Sequence, residues 1–398
     1  MDNISKTKRL MILGAGTYQV PLIKKAKDMG LFVIVVSPAG YPGIHAGDVF
    51  IDSDTRNADR IISVAREFNI DGIITTGTDV CVPAMGSVID SLGLRGSGYD
   101  VAVNSSIKSN MKRLFKEHGV STADFGVFDQ LVDANQFADN IGYPVMVKAV
   151  DSSGSRGVIK VNRKEELSVA WDNARGVTKR NEIIIEQYLE GIEFGSQAFV
   201  REGQLVFCFY HNDTVSPPPQ STPIGHSMPA DLSKTQQQEA DILVSKAVRA
   251  LGIRDCVANV DLIMVKGKPY ILEIGARMGA TCLPENISIY YNFDVYRYVI
   301  ELSLGEFTNI KIGKGRPNAA LLLQSKKTGV IRDIIIPRWV RYHKDLVELK
   351  IDVNIGDKVN KFIVGSDRIG HVVVTGRTAA EAEQTVEMLT EKIEFHVD

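Results

Sequence analysis

The chain is poor in the features that mark disulfide-rich, zinc-binding and membrane-spanning proteins. Its 398 residues include only four cysteines, and no two of them form a CxxC pair. Disulfide frameworks and zinc sites need clustered or regularly spaced cysteines, so we expect four reduced thiols. No apolar stretch reaches the ~20 residues that span a bilayer, and no signal peptide is expected. These absences predict a soluble protein of the cytoplasm.

Neither sign of charge is in excess. Lysine and arginine number 46 against 48 acidic residues, which gives a formal net charge of −2. Proteins that bind nucleic acids or membrane surfaces usually carry a basic excess, so we expect neither partner. Hydrophobic residues make up 44% of the chain and charged residues 24%, as in ordinary globular proteins. The length indicates two or three domains.

The first hundred residues alternate between strand and helix patterns. Apolar runs such as Leu31 to Val36 are typical of strands covered on both faces, and segments such as Ala58 to Phe68 have helical periodicity. This alternation predicts a doubly wound parallel sheet. Gly14-Ala15-Gly16 follows the first strand, but Gln19 stands where a dinucleotide-binding fingerprint has its third glycine. No acidic residue ends the second strand, so a Rossmann-type dehydrogenase is disfavoured.

The pattern changes twice further along the chain. Val215 to Pro229 is rich in proline and serine, and we interpret it as a long loop. Short strands, among them Phe362 to Ser366, fill the last part of the chain before a final helix at Ala379 to Ile393. We expect three domains: residues 1–104 (α/β), residues 105–308 with a lid at about 119–190, and a smaller α+β domain at 309–398.

A lysine and a run of small residues predict a phosphate-binding hairpin. Lys148 lies near the end of an apolar strand, where a charge is costly unless it meets an anion. The following Asp151-Ser152-Ser153-Gly154-Ser155-Arg156-Gly157 is rich in small residues, which let backbone N–H groups approach a phosphate. It is not a Walker A motif, because no Gly-Lys-Ser/Thr opens a helix. Taken alone, the pattern also fits a flexible hairpin.

A second segment predicts recognition of a nucleoside. Glu186-Gln187-Tyr188-Leu189 ends a strand, whose backbone donors and acceptors can read an adenine edge. Glu193 lies just beyond, where its carboxylate can accept hydrogen bonds from both ribose hydroxyls. Glutamates exposed at a turn fit the same pattern.

A third segment predicts a metal site. Asp261 and Glu273 lie among apolar neighbours on two strands joined through Lys266-Gly267-Lys268. Carboxylates that face each other in a low-dielectric site repel, and a divalent cation relieves the repulsion. Magnesium suits such oxygen ligands together with nucleotide phosphates. Arg277, four residues on, can steady a developing phosphoryl charge. The alternative is a pair of solvated strand residues.

In this order the segments resemble the ATP-grasp superfamily of ligases, and the resemblance covers nearly the whole chain. It implies an α/β and α+β fold with an N-terminal pre-ATP-grasp domain (the doubly wound parallel sheet), a central ATP-grasp domain and a small C-terminal α+β domain. The layout resembles the branch that contains formate-dependent glycinamide ribonucleotide transformylase, biotin carboxylase and the L-amino acid ligases. The implied cofactors are ATP and Mg2+ or Mn2+.

The resemblance assigns phosphate-binding and catalytic roles. It gives the α-phosphate contact to Lys108, with Lys112 as the alternative, and makes Lys148 the second phosphate lysine. Ser152 to Gly157 corresponds to the phosphate loop, with Ser152, Ser153, Gly154, Ser155 and Gly157 as its binding residues. Lys148 and Arg277 are then the catalytic residues.

The resemblance also assigns the nucleoside and metal contacts. Glu186 to Leu189 corresponds to the hinge that holds adenine, and Glu193 to the ribose-binding glutamate. Asp261 and Glu273 correspond to the two magnesium carboxylates. Many members carry Glu-x-Asn-x-Arg here, with the asparagine as a further metal ligand. Gly275 occupies that position, so the number of metals stays open.

The implied activity is that of an ADP-forming carboxylate–amine ligase, which activates a small acid as an acyl phosphate. Ile224 to Pro229 and the phosphate loop look more like the amino-acid ligase group. Asp367-Arg368 replaces the two adjacent arginines of the transformylase, which disfavours a phosphoribosyl substrate. The alternatives are a carboxylase or formyl-type ligase of a purine-like amine, and a non-catalytic ATP-binding module.

Three further residues are candidate substrate contacts: Asp79, His226 and Arg368. Asp79 also fits a helix N-cap, and His226 a loop histidine with a local hydrogen bond. The expected partners are a small carboxylate and an amine. Related folds often dimerise, so a homodimer is expected by analogy only.

Overall fold

The computed structural model describes residues 7–154, 156–217, 222–307, 309 and 311–398. In this part of the chain the helices are, in order, α1 (Val20–Asp28), α2 (Ala58–Phe68), α3 (Val82–Leu92), α4 (Tyr99–Ser106), α5 (Lys108–Glu117), α6 (Leu131–Ile141), α7 (Leu167–Val177), α8 (Lys234–Leu251), α9 (Leu283–Tyr291), α10 (Val295–Ser303), α11 (Arg338–Arg341) and α12 (Ala379–Thr390). None of these helices is long and apolar enough to cross a membrane.

The strands over the same ranges are β1 (Arg9–Leu13), β2 (Phe32–Ser37), β3 (Val49–Asp52), β4 (Gly72–Ile74), β5 (Phe125–Phe128), β6 (Val145–Ala149), β7 (Val158–Val161), β8 (Ile183–Gln187), β9 (Ile192–Arg201), β10 (Gln204–Val215), β11 (Pro223–Met228), β12 (Cys256–Val265), β13 (Lys268–Gly275), β14 (Asn318–Gln324), β15 (Gly329–Ile335), β16 (Leu346–Ile351), β17 (Lys358–Val359), β18 (Arg368–Thr375) and β19 (Glu394–Val397).

The chain divides into two compact units, each discontinuous in sequence. The first unit contains Met1–Gly96, Phe209–Asp231 and Arg277–Asp398. The second unit contains Ser97–Cys208 and Leu232–Ala276.

The first unit begins with the expected parallel sheet. Its strand order is β3-β2-β1-β4, and each neighbouring pair is parallel. The inner strands β1 and β2 are almost completely buried, in agreement with their continuous apolar runs. The rest of this unit includes the antiparallel strands β11-β14-β18-β16, and α12 packs against β14 and β18.

The second unit contains two antiparallel sheets. One has the order β5-β8-β6-β7, and α6 and α7 bury an apolar face on it around Trp171, Ile183 and Ile185. In the other, β12 pairs with β9 on one side and with β13 on the other. The helix α8 begins at a capping box in which Ser233 and Gln236 satisfy each other's backbone N–H groups.

Two predictions of local structure were wrong. The segment Val215 to Pro229 is not a loop throughout, because β11 lies within it and pairs with β10 and β14; residues 218–221 lie outside the described part. Phe362 to Ser366 is not a strand. The carboxylate of Asp367 accepts hydrogen bonds from the backbone N–H groups of Ile363 and Val364 at 3.1 and 3.0 Å, and this local bonding competes with strand pairing.

The four cysteines form no disulfide. Cys81 and Cys282 are buried, and Cys208 and Cys256 are partly buried. Burial raises the pKa of the Cys81 thiol to about 11 and that of Cys256 to about 12, which keeps both protonated near neutral pH.

Gly225 in β11 provides a test of how closely the antiparallel strands approach. A Cβ at this position would lie 2.4 Å from the carbonyl oxygen of Ala320, which belongs to the rigid strand β14. We expect Gly225→Ala to lower the free energy of unfolding by about 1–3 kcal/mol, because the strands must separate to admit the methyl group. Urea denaturation measures the change.

Gly176→Ala is the matched control. Gly176 lies in α7, and a Cβ there would meet no atom within 4 Å. This variant should gain about 0.5–1 kcal/mol, because alanine loses less backbone entropy in a helix than glycine. Equal stability of the two variants would contradict the close approach at Gly225.

Candidate functional site

A buried carboxylate holds two lysines together in the second unit. Glu186 on β8 pairs in register with Met146 on β6, so its side chain lies diagonally across from Lys148 on the same face of the sheet. The Nζ of Lys148 is 2.8 Å from Glu186 Oε2, and the Nζ of Lys112 on α5 is 3.4 Å from the same oxygen. The side chains of Lys112 and Glu186 are only 1% and 2% exposed.

The pKa values of these groups follow from their burial and charge. Burial alone would raise the pKa of Glu186, but the ammonium groups of Lys112 and Lys148 lower it to about 2. The pKa of Lys112 is lowered to about 8, because burial and, to a lesser extent, the nearby charge of Lys148 outweigh the opposing effect of Glu186. For Lys148 the carboxylate overcomes burial, and its pKa is raised. One carboxylate is thus paired with two ammonium groups, and these three groups together carry a net positive charge.

A third lysine connects the phosphate-loop segment with the hairpin of β12 and β13. Lys108, the first residue of α5, donates from Nζ to the carbonyl oxygen of Ser152 at 2.6 Å and to Glu273 Oε1 at 3.1 Å. Lys112 instead donates to Thr122 Oγ1, which in turn donates to the carbonyl oxygen of Ile271 at 2.7 Å. Both lysines offered as the α-phosphate contact therefore lie in the same cluster as Lys148, and all three have at least one acidic neighbour.

The phosphate-loop segment is closed by its own side chains. Ser152 Oγ donates to the carbonyl oxygen of Arg156 at 2.6 Å, and the Asp151 carboxylate accepts from Thr178 Oγ1 at 2.6 Å and from the Lys179 backbone N–H at 3.0 Å. Gly154 and Gly157 have φ of +67° and +68°, a conformation that glycine adopts without strain. Ser153 is within the described part, whereas Ser155 lies outside it.

Asp261 and Glu273 are directly opposite each other on β12 and β13, as the alternation along the two strands predicts. Asn259 Nδ2 donates to Asp261 Oδ1 at 3.0 Å, and Gln197 Nε2 on β9 donates to Asn259 Oδ1 at 2.6 Å. Asn259 is itself directly opposite Gly275. The Asn259 amide therefore lies beside the carboxylate pair. It belongs to β12, whereas the asparagine of the Glu-x-Asn-x-Arg pattern would stand at position 275 on β13.

The hinge segment has one buried and three more exposed residues. The Glu186 side chain points to the lysines, while Gln187 is exposed and Tyr188 and Leu189 are half-buried. The backbone N–H groups of Gln187 and Tyr188 donate to the carbonyl oxygens of Asp124 and Pro144 at 2.8 and 3.2 Å. The Lys160 ammonium lies 3.7 Å from the centre of the Tyr188 ring.

Glu193 on β9 lies in the same sheet as the carboxylate pair. It is opposite Ile263 on β12, and two residues further along each strand Gly195 is opposite Asp261. Since side chains alternate between the faces of a sheet, Glu193 and Asp261 share a face.

The other sequence candidates lie in the first unit. Asp79 Oδ2 accepts from Arg277 Nη2 at 2.7 Å, which joins two of them across 198 positions of sequence. Asp79 does not cap a helix, because α3 begins after Cys81 without a side-chain cap. His226 on β11 shares Asp213 Oδ1 with His211, at 2.7 and 2.8 Å.

Arg368 lies 4.6 Å from the centre of the Tyr18 ring, and its Nε is 3.1 Å from Asp352 Oδ2. Burial raises the pKa of the Tyr18 hydroxyl, and that hydroxyl donates to the carbonyl oxygen of Gly365 at 3.1 Å. The guanidinium thus meets an aromatic face and a carboxylate.

Gln19, which stands at the position of the third glycine of a dinucleotide-binding fingerprint, hydrogen-bonds to the glycine turn after β1. The Gly16 backbone N–H donates to Gln19 Oε1 at 2.9 Å, and Gln19 Nε2 donates to the Thr76 carbonyl oxygen. The side chain of Gln19 therefore occupies the turn, with its Oε1 3.1 Å from where a Cβ at Gly14 or Gly16 would be.

The residues of the second unit fit a magnesium–nucleotide complex. Glu186 Oε1 is buried and has no hydrogen-bond partner in the described part of the chain, so the cluster is not fully satisfied by protein groups. Three lysines suit phosphate oxygens, and the opposed carboxylates of Asp261 and Glu273 suit a divalent cation. Sequence patterns did not indicate Gln197 and Asn259, although Asn259 shares a strand face with Asp261, two positions away.

Comparisons with known proteins identify the family of two parts of the chain. Residues 141–285 match the family model of the ATP-grasp domain, and residues 321–398 match that of the L-amino acid ligase C-terminal domain 2. Residues 141–285 are therefore an ATP-grasp domain, a domain that occurs in ATP-dependent ligases. Its C-terminal part is of the kind found in L-amino acid ligases.

Three relatives illustrate the similarity. The phosphoribosylglycinamide synthetase of Anaerococcus prevotii is 28% identical with a TM-score of 0.83, over 99% of this chain and 100% of that one. The L-amino acid ligase of Bacillus licheniformis is 21% identical with a TM-score of 0.83 over the same shares, a likeness of fold. A formate-dependent phosphoribosylglycinamide formyltransferase of Prochlorococcus marinus is 24% identical over 82% of each chain.

The low pKa of Glu186 predicts a specific acid sensitivity. Its pKa is about 2 in the folded chain against a usual value of 4.5, so its contribution to stability is present above pH 4.5 and is lost as the pH falls towards 2. A difference of this size corresponds to about 3 kcal/mol. Urea denaturation between pH 7 and 2 should show this loss in the unaltered chain and not in Glu186→Gln.

At pH 7, Glu186→Gln should itself cost about 3–5 kcal/mol, because it leaves two buried ammonium groups without their carboxylate. The exposed Glu239 on α8 provides the control, since Glu239→Gln should keep the acid transition of the unaltered chain. An unchanged acid transition in Glu186→Gln would contradict the assignment.

Proposed function

We propose that the chain is an ADP-forming carboxylate–amine ligase that acts on an amino acid or a related small acid. The observation that carries this proposal is the cluster in the second unit. Lys112 and Lys148 contact the buried Glu186, and Lys108 contacts Glu273, which is opposite Asp261. An array of cations next to paired carboxylates is what the phosphates of a nucleotide and their counter-ion require.

In this proposal the nucleotide is held by groups of the second unit. Lys148 and Lys108 bind phosphate oxygens, and the backbone of Ser152 to Gly157 covers them. Glu186 keeps Lys112 and Lys148 at a fixed separation. The backbone of Glu186 to Leu189 forms hydrogen bonds with the adenine edge, and the Glu193 carboxylate accepts hydrogen bonds from the ribose hydroxyls. Lys112, whose pKa is near 8, is the lysine whose charge responds most to a change of local charge.

Asp261 and Glu273 would hold Mg2+ or Mn2+. When bound, this ion neutralises phosphate charge during transfer. Gln197 and Asn259 hold the Asp261 carboxylate in place through consecutive hydrogen bonds, and Lys108 does the same for Glu273. A rigid carboxylate pair favours a metal of fixed geometry, and the amide of Asn259 offsets the glycine at position 275 by steadying Asp261.

The chemistry proceeds in two transfers. A carboxylate oxygen of the acid attacks the γ-phosphorus of ATP, the bond from that phosphorus to the β–γ bridging oxygen breaks, and ADP leaves. The amine nitrogen then attacks the carbonyl carbon of the acyl phosphate, and phosphate leaves as the amide forms and the nitrogen loses a proton. Arg277 supplies positive charge to the transferring group, and its bond to Asp79 fixes its direction. Exclusion of water by the phosphate loop prevents hydrolysis of the acyl phosphate.

The match of residues 321–398 to the L-amino acid ligase C-terminal domain favours an amino acid as the acid. Asp79, His226 and Arg368 in the first unit are the proposed substrate contacts. The three-domain division at residues 104 and 308, with a lid near 119–190, and a homodimeric assembly are part of the same proposal.

A second candidate is a ligase of a purine-like amine, such as a formyl-type or carboxylating enzyme. The 28% identity to a phosphoribosylglycinamide synthetase favours this alternative. The single Arg368, preceded by Asp367, disfavours it because a phosphoribosyl group needs more positive charge.

The first experiment is a screen of phosphate release from ATP and Mg2+. Pools of amino acids, other small carboxylates, formate and bicarbonate are supplied with and without amines, including a phosphoribosyl amine. We expect release to require an amino acid or a related acid together with an amine. Release only with formate or bicarbonate and the phosphoribosyl amine would replace the proposal by the second candidate. Silence in all pools with ATP bound would favour a non-catalytic module.

Glu273→Gln tests the metal carboxylate. We expect at least about a 100-fold loss of ADP formation, because a neutral amide balances neither the metal nor Lys108. Circular dichroism should show an intact fold. Glu239→Gln, an exposed change in the same unit, should keep full activity. Full activity of Glu273→Gln would exclude the assignment.

A further inference from the structure

Two histidines and an aspartate converge on a single atom in the first unit. His211 Nδ1 and His226 Nδ1 lie 2.8 and 2.7 Å from Asp213 Oδ1. The side chains are 2%, 6% and 17% exposed for His211, His226 and Asp213. The imidazole rings are 4.8 Å apart between centroids and almost perpendicular. One carboxylate oxygen orients two imidazoles, which uses both of its lone pairs.

The positions of the three residues are fixed by strand pairing. Asp213 on β10 is directly opposite His226 on β11, and His211 precedes Asp213 by two residues, so all three side chains share one face of the ladder. On the opposite face the next pair, Asn212 and Ser227, is joined by a 3.0 Å hydrogen bond. The three donor atoms are therefore held by backbone geometry rather than by a loop.

We propose that His211, Asp213 and His226 form a binding site for a first-row transition-metal dication such as Zn2+. One donor atom from each of the three lies within 4.8 Å of the others, which is the arrangement that a small ion needs. Two imidazole nitrogens with one carboxylate oxygen are ligands that zinc, cobalt, iron and nickel prefer. Magnesium and calcium favour oxygen ligands alone, so the site differs in kind from the pair of Asp261 and Glu273.

Binding changes the hydrogens at the site in a defined way. In the absence of an ion, each Nδ1–H donates to the carboxylate. With an ion bound, Nδ1 of each neutral ring must offer its lone pair, so its proton moves to Nε2 as the ring changes tautomer. No net proton is released from neutral rings.

A buried amide holds the backbone of one of the three residues. Asn286 is completely buried, and its Nδ2 donates to the backbone carbonyl oxygen of His226 at 2.9 Å. Its Oδ1 is buried and has no hydrogen-bond partner within the described ranges. The amide therefore fixes the backbone at His226 from the side of α9.

The test uses the full chain after chelator treatment, in buffer with excess Mg2+ to saturate the oxygen-ligand site. Zn2+ is added, excess is removed by gel filtration, and bound zinc is measured by elemental analysis. We expect one equivalent per chain. Co2+ in place of Zn2+ should give visible absorption bands of nitrogen ligation in a low-symmetry site. Absence of bound zinc, or a Co2+ spectrum like that of the aqueous ion, would overturn the proposal.

Variants locate the ion. His211→Gln, His226→Gln and Asp213→Asn should each weaken zinc binding at least about 100-fold, because the loss of an outer-sphere partner alone costs about 10–100-fold. His118→Gln, a change of an exposed histidine in the second unit, and Glu273→Gln should keep one equivalent. Unchanged binding in the three site variants would overturn the assignment. If a variant does not fold, the wild-type zinc count and Co2+ spectrum still decide the question.

Discussion

The candidate site of the second unit depends on one buried ionic arrangement, the carboxylate of Glu186 between the ammonium groups of Lys112 and Lys148. Two ammonium groups and one carboxylate inside a protein are tolerable only with close, hydrogen-bonded geometry. The same three groups carry a net positive charge. In the proposed function this charge binds phosphate, so a change in any of the three side chains would alter stability and anion affinity together.

The sequence indicated much of this unit because its patterns are local. The opposition of Asp261 and Glu273 followed from two alternating strands joined by a short turn, and their register agrees. The side-chain role of Glu186 did not follow, because the partners come from α5 and β6, which are distant in sequence. Asn259 was missed for a related reason. The Glu-x-Asn-x-Arg pattern is counted along β13 alone, and Asn259 lies on β12, which pairs with it.

The first unit shows where local patterns mislead. Proline and serine around Val215 to Pro229 indicated a loop, yet Pro223 stands at the first residue of β11, where a missing N–H costs little. The pairing of β11 with β10 and β14 then decided the outcome, and β14 is far from this segment in sequence. That correction matters for chemistry, because it is strand pairing that brings His226 opposite Asp213.

The discontinuity of the first unit has a consequence for how the chain folds during synthesis. Ser97–Cys208 and Leu232–Ala276 have all emerged from the ribosome while the last 122 residues of the first unit, Arg277–Asp398, are still to come. The parallel sheet at the start can form early. Gly72 in this sheet packs against Ser303, however, and Asp79 after it pairs with Arg277, and both partners belong to the last segment. The second unit can therefore complete its core first, whereas the first unit completes its core only after its last segment has been made.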